Sequence, residues 1–478
     1  MADSFAHLDA TAQADLVRRR EASARELVDA AVARIERLDP TLGSVIHPAF
    51  EVARATADRA PDGPFRGVPI LMKDIGGPEA GRPYCAGMRF LKHAGWREPE
   101  DSHLTAKLKA AGLVSLGRTN TPELALLPTT EPEAFGPTRN PWRTSHSAGG
   151  SSGGAAAAVA AGLVPVAHAS DGGGSIRIPA SHCALVGLKP TRGRNSFGPG
   201  LGERWSGFSA EFVVTRSVRD AAALLDVTSG AMPGDPYVAP APARPFAQEV
   251  GAAPGRLRIG CLRRGPRGLA LDPQCILAVD HMATVLADLG HAVEESHPAA
   301  LDEHEAVLHY VTVVSSSVAR ALDSWSEKVG KPIASGDVEV LTASLAERGR
   351  ATSAGDLLAS IEFVHGIGRR LASWWGSGFD LLLTPTVAAP PPEIGHLTST
   401  PDEPLRAFMR AAPYGAFTLP FNMSGQPAIS LPAHWTPEGL PIGAQLVAPF
   451  AREDLLLRVA AQIEQAAPWA SRRPAVHA

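Results

Sequence analysis

An α/β protein with a large mixed β-sheet core covered by helices on both faces is what this sequence predicts, and three observations carry that expectation. Apolar runs of strand length alternate with stretches of helical period. Strand, helix and strand follow one another in a single unit between Arg256 and Glu295, which is the pattern of a parallel or mixed sheet. Glycine punctuates the ends of the helical stretches, as at Gly112, Gly162 and Gly290.

Taken along the chain, Ser23 and Glu26 have the spacing of a capping box. Leu27, Val28, Ala31, Val32, Ile35 and Leu38 then recur at helical period until Asp39-Pro40, so amphipathic helices are expected over about residues 8–40. The run GVPILM, Gly67 to Met72, reads as a buried strand, and Lys73 stands where it gives way to a Gly-rich loop. Leu104 to Ala111 reads as a helix, followed by the short strand LVSLG and a loop from Arg118 to Pro122. Gly153 to Ala161 reads as a helix and Leu163 to Ala169 as the strand leading into DGGGS. A Pro- and Ala-rich stretch, Met232 to Gly255, predicts a surface excursion. After it come a strand (Arg256 to Leu262), a helix (Asp272 to Leu289) and a strand (His291 to Glu295). Leu301 to Phe379 is mainly helical in pattern and ends at the apolar strand Leu381 to Leu383. No internal repeat divides the chain, so residues 1–478 are expected to form one continuous unit.

With 45% hydrophobic and 20% charged residues the composition is that of a globular protein, and a net charge of -4 gives no footprint for nucleic acid or an anionic membrane. The expected partner is a small molecule, and a homodimer is left open. Four cysteines, Cys85, Cys183, Cys261 and Cys275, form no CxxC pair and have no histidine at metal-ligand spacing, so neither a disulfide framework nor a zinc site is expected. The first residues lack the basic and apolar regions of a signal peptide, and no run reaches the ~20 apolar residues of a membrane span. A cytoplasmic protein is the expectation.

Three segments carry candidate chemistry: VPILMKD ending in Lys73-Asp74, GGSSGG from Gly149 to Gly154, and DGGGSIRIPA from Asp171 to Ala180. GGSSGG alone reads first as a flexible loop. It also matches the G-x-S-x-G string of a nucleophile elbow around Ser151 and around Ser152, yet the residues upstream, WRTSHSA, are polar and turn-prone where an elbow needs a buried strand. A phosphate loop is excluded because no Lys-Ser or Lys-Thr closes either Gly-rich stretch. What remains is glycine as a way to bring backbone N–H groups up to a developing oxyanion, for which Gly172, Gly173, Gly174 and Ser175 have the composition. A serine hydroxyl needs a base, and a lysine buried at the end of an apolar strand has the environment that lowers an ammonium pKa toward neutrality.

Together and in this order, the three segments resemble the amidase signature family, and the resemblance continues through IRIPASHCALVGLKPTRGR, LPFNMSGQPAISLP and LPIGAQLVAP. It implies the amidase signature fold, catalytic motifs over 67–195, a C-terminal motif over 417–448 and a substrate-facing helical region over about 301–379. It also implies Lys73 as base, Ser151 as bridging serine after a cis peptide bond from Gly150, Ser175 as nucleophile of an acyl-enzyme, and no metal or cofactor. Asp171, Arg177 and Ser152 would support the site, the first two as readily structural as catalytic and Ser152 equally a helix cap. TTEPEAFGPTRNPW and REDLLLRVAAQIE resemble members acting on aminohexanoate oligomers, which implies short apolar amides, cyclic or linear, with carbamates and esters as further candidates. His146, three residues before Gly149, stands where many members carry Arg, and GGPEAGRPYCAG lacks their threonine-rich run.

Other readings compete. A glutamine-hydrolysing amidotransferase subunit would share the triad, and an inert binding scaffold would share the fold. His168 could complete a Ser-His-Asp set with Ser175, but a buried, hydrogen-bonded histidine is the simpler role, and His182 beside Cys183 lacks further ligands near in sequence. Trp325, Trp374 and Trp375 are expected to be core or helix-packing residues and not stacking platforms for bases.

Overall fold

Pro69–Lys73, a strand with no exposed side chain, lies deep in the sheet from which the molecule is built. The computed structural model describes residues 5–334 and 336–478. In chain order the strands are β1 (Val45–Pro48), β2 (Pro69–Lys73), β3 (Val114–Thr119), β4 (Arg139–Asn140), β5 (Arg143–Ser147), β6 (Val166–Asp171), β7 (Val186–Lys189), β8 (Ala210–Thr215), β9 (Arg258–Cys261), β10 (Ala292–Glu295), β11 (Leu381–Pro385), β12 (Ala428–Trp435) and β13 (Pro441–Val447). β4 and β5 pair with each other; the rest form one sheet in the order β1-β3-β2-β6-β8-β7-β12-β13-β11-β9-β10. β2 is parallel to β3 and β6 on one flank, β9 is parallel to β10 and β11 on the other, and antiparallel ladders join them, so the sheet is mixed as expected.

Successive side chains of a strand point to opposite faces, so uniform burial along β2, β7, β8, β11 and β13 means that both faces are covered. The cover is helical. Gly153–Ala160 packs on β2, β6 and β8, Arg177–Cys183 on β7, β12 and β13, and Pro273–Asp288 on β11, β12 and β13. The helix Glu305–Val329 packs on Val340–Ala351 and Ala354–Ser373, which makes the expected helical region a layer of its own. The Pro-rich excursion is tied down by Phe246, whose buried ring belongs to the core, and by Glu249, which pairs with Arg244 and Arg458.

β3 runs on through Arg118 and Thr119, where the sequence reading placed a loop, and two further boundaries differ from it. The capping box at Ser23 and Glu26 is present, but its helix runs through Pro40 to Leu42 and stops at Gly43, whose φ of 62° only glycine adopts without strain. Asp39 makes the stop, taking the backbone N–H groups of Ser44 and Val45 on its carboxylate while its carbonyl takes that of Gly43. β6 begins at Val166 and not at Leu163, because Gly162 and Leu163 still close the preceding helix and Pro165 has no N–H to give a ladder. The shift extends the strand to Ser170 and Asp171, which places both at its carboxyl end.

Candidate active site

Because β2 and β6 run parallel side by side, their carboxyl ends meet at one edge of the sheet, where open α/β folds hold their ligands. Lys73 ends β2 and Asp171 ends β6. The helix Gly153–Ala160 presents its N-terminal approach, Gly149 to Ser152, at the same edge. Lys73 Nζ lies 2.6 Å from Ser151 Oγ and 3.0 Å from Ser170 Oγ, and both Lys73 and Ser151 are fully buried. The Gly150–Ser151 peptide bond is cis. The Ser151 carbonyl accepts the Thr121 hydroxyl at 3.0 Å, and the Gly149 carbonyl accepts that of Thr130 at 2.9 Å, so the serine loop is clamped from both sides. Burial drives the Lys73 ammonium down to about 7, against the pull of Asp171 and Glu211 and with the help of the Arg204 charge. A lysine at that value shares its proton readily near neutral pH.

The glycine turn is fixed from behind. Asp171 and Arg177 form a fully buried two-pronged ion pair, with Nε and Nη2 each 2.9 Å from a carboxylate oxygen. Asn422 donates to the Asp171 carboxylate at 2.8 Å and accepts from Arg177 at 2.7 Å, while Gln445 accepts from Arg177 at 2.8 Å. Burial works against the Asp171 carboxylate, yet the Arg177 charge and these hydrogen bonds hold it at about 2. Asp171 and Arg177 therefore act here as scaffold. Two expectations need correction. Gly174 donates its N–H to Asp171 Oδ1 at 2.7 Å, so that group is not available to an oxyanion, whereas the N–H groups of Gly172, Gly173 and Ser175 have no partner among the described residues. Ser152 precedes its helix but makes no side-chain cap; its hydroxyl bonds the Ser170 carbonyl at 3.2 Å and N–H at 3.3 Å and so ties the helix to β6.

Ser151, Ser170, Gly172 and half-buried Ser175 open onto a cavity of about 760 Å³. Tyr84, Leu124, Trp205 and Trp325 wall it, with Arg204 and Glu211 among its charged lining residues. The segment GGPEAGRPYCAG contributes Pro78, Tyr84 and Ala86, and the helix Glu305–Val329 contributes Ser316, Arg320 and Lys328. Trp325 packs against the core as expected, in edge contact with Trp96 at 5.7 Å, and also faces the cavity, which the sequence reading did not foresee. Trp374, stacked on Phe379 at 4.6 Å, and Trp375 beside it do pack as expected.

His168 is fully buried and is no triad member: its Nδ1 accepts the Lys73 N–H at 3.4 Å and its Nε2 lies 3.6 Å from Glu211. His182 is buried too, against the Tyr414 ring. Sequence reasoning missed Ser170, Thr121, Thr130, Asn422 and Glu211. Only Asn422, inside LPFNMSGQP, and Thr130, inside TTEPEAFGPTRNPW, sat in segments that stood out.

The profile of the Amidase family matches residues 26–457. A 6-aminohexanoate-cyclic-dimer hydrolase of Paenarthrobacter ureafaciens is 45% identical over 474 residues, 98% of this chain and 96% of that protein. A solved structure of 6-aminohexanoate cyclic dimer hydrolase complexed with substrate superposes with a TM-score of 0.96 at 44% identity, covering 98% of this chain and 99% of that one. A glutamyl-tRNA(Gln) amidotransferase subunit from Thermotoga maritima is more distant, with a TM-score of 0.78 and 26% identity over 99% of this chain and 98% of that one. With the lysine-serine edge, the glycine turn and the mixed sheet in place, this chain belongs to the amidase signature family and is an amide hydrolase.

Proposed function

We propose that the enzyme cleaves its amide through an acyl-enzyme on Ser175, with Lys73 as base and Ser151 as relay. The observation that carries this reading is the 2.6 Å contact of Lys73 Nζ with Ser151 Oγ behind a cavity onto which Ser175 opens. Neutral Lys73 accepts the Ser151 proton as Ser151 accepts that of Ser175, and Ser175 Oγ bonds to the carbonyl carbon. The N–H groups of Gly172, Gly173 and Ser175 receive the oxyanion. The proton returns along the relay to the nitrogen, the C–N bond breaks and the amine leaves. Water then attacks the ester, giving the acid and free Ser175.

Short apolar amides, cyclic or linear aminohexanoate-type oligomers among them, are the proposed substrates. The support is the 45% identity with the cyclic-dimer hydrolase and the aromatic cavity wall of Tyr84, Trp205 and Trp325. Carbamates and esters present the same carbonyl to the same nucleophile and are expected to react. The lower identity with the amidotransferase chain, 26%, weighs against glutamine as the substrate.

A fluorophosphonate probe followed by peptide mass spectrometry tests the nucleophile. Label on Ser175, with Ser175→Ala folded but at least ~10⁴-fold slower, is the expected result. Label on Ser152 would sink the assignment.

A further inference from the structure

Spacing along the chain hides a donor set that the fold assembles. His47 of β1, Asp74 just beyond β2 and Cys85 in the following loop place a ligand atom each within 4.8 Å of one another. His47 Nε2 is 3.3 Å from Cys85 Sγ. Imidazole, thiolate and carboxylate are the donors zinc takes, and bonds of ~2.0–2.3 Å in a tetrahedron put donors about 3.3–3.6 Å apart. The histidine-cysteine pair stands near that separation already, and a carboxylate oxygen of Asp74 lies within 4.8 Å of both. Cys85 and Asp74 are buried while His47 is half-buried, which leaves a way in from the surface. None of the three lines the catalytic cavity.

We propose that these residues form an inhibitory site for a thiophilic divalent cation such as zinc or cadmium. Cys85 gives up its proton to solvent and ligates as thiolate, His47 ligates as neutral imidazole through Nε2, Asp74 ligates through one oxygen, and water fills the fourth position. The neighbouring Arg118 guanidinium, its Nε 3.9 Å from Asp74 Oδ1, opposes the added charge and keeps the affinity modest.

The route to the active site is short. Asp74 follows Lys73 directly, and its carboxylate holds the backbone N–H groups of Cys85 at 3.0 Å and Gly87 at 3.2 Å. Its carbonyl accepts the N–H of Ala86 at 2.9 Å. Tyr84 and Ala86, on either side of Cys85, wall the cavity. A cation that draws Asp74 toward His47 and Cys85 therefore pulls on the base-bearing strand end and on the wall together.

Titration of the chelator-treated enzyme with cadmium, followed by the ultraviolet thiolate-to-cadmium charge-transfer band, reads binding without turnover; zinc titration of amide hydrolysis reads the effect. One equivalent of cadmium is expected to raise the band, and zinc to lower kcat/KM about tenfold, reversed by chelation. Cys85→Ser and His47→Gln should keep basal activity and lose both responses. No band in the wild type, a band retained by Cys85→Ser, turnover unchanged at saturating zinc, or inhibition that persists in both variants would each overturn the proposal.

Discussion

Lys73 shows what one residue owes to its surroundings. Fully buried, it loses the hydration that stabilises an ammonium, and its pKa falls to about 7 from an ordinary 10.5. In the proposed mechanism the neutral form is the base, so turnover should rise with pH through about 7 and then level off, and at pH 6 it should be about tenfold below the plateau. Rate against pH measures this, with Lys73→Arg as control: a guanidinium stays charged, so the variant should be nearly inactive with no such limb. Burial also lowers Lys189 to about 7, but its ammonium donates to the Pro190 carbonyl, outside the cavity, so Lys189→Met should leave the midpoint in place. The proposed triad residues were legible because each sits in a recognisable motif. Ser170 and Glu211 were not, since a single serine or glutamate on a strand carries no local signal.

At the scale of elements, a pair of carboxyls, Glu123 buried and Glu339 half-buried, joins the cavity wall to a helix start. Glu123 opens the short helical turn Glu123–Ala125, whose next two residues line the cavity, and Glu339 precedes the helix Val340–Ala351. The Glu339 N–H donates to Glu123 Oε1 at 2.7 Å. Burial pushes both carboxyls up, and the Glu339 charge adds to the shift at Glu123, with Arg89 pulling back. A raised folded pKa means stability that is complete below the ordinary 4.5 and lost as pH rises through the folded value. Thermal unfolding from pH 5 to pH 9 should therefore show a fall in Tm that Glu123→Gln flattens by about 2–4 °C. Parallel slopes for both proteins would rule this out. Periodicity located the helices near here but said nothing of the pairing, which joins residues 216 apart in the chain.

For the whole molecule, the cavity lies between the edge of the sheet and the separate helical layer, so the substrate meets residues from both. A panel of cyclic and linear ω-amino-acid oligomers, aryl amides, carbamates, esters and glutamine, compared by kcat/KM, should place apolar amides above glutamine. Glutamine cut faster than every apolar amide would reverse the substrate assignment and leave the nucleophile standing. Prolonged chelation should not lower activity, because the proposed electrophile is a set of backbone N–H groups; loss that zinc restores would contradict that. Among the described residues no helix is long and apolar enough to cross a membrane. The sequence by itself determined the mixed α/β architecture, the strand carrying Lys73 and the order of the three motifs, because hydrophobic period and glycine placement are local properties. Only the tertiary structure decided which N–H groups the glycine turn leaves free, that Trp325 faces the cavity, and that Asn422 locks the Asp171–Arg177 pair. The first turns on a side-chain to backbone bond inside the loop, Gly174 to Asp171, and the other two on contacts between segments hundreds of residues apart, such as Asn422 with Asp171; no pattern along the chain encodes where such side chains meet.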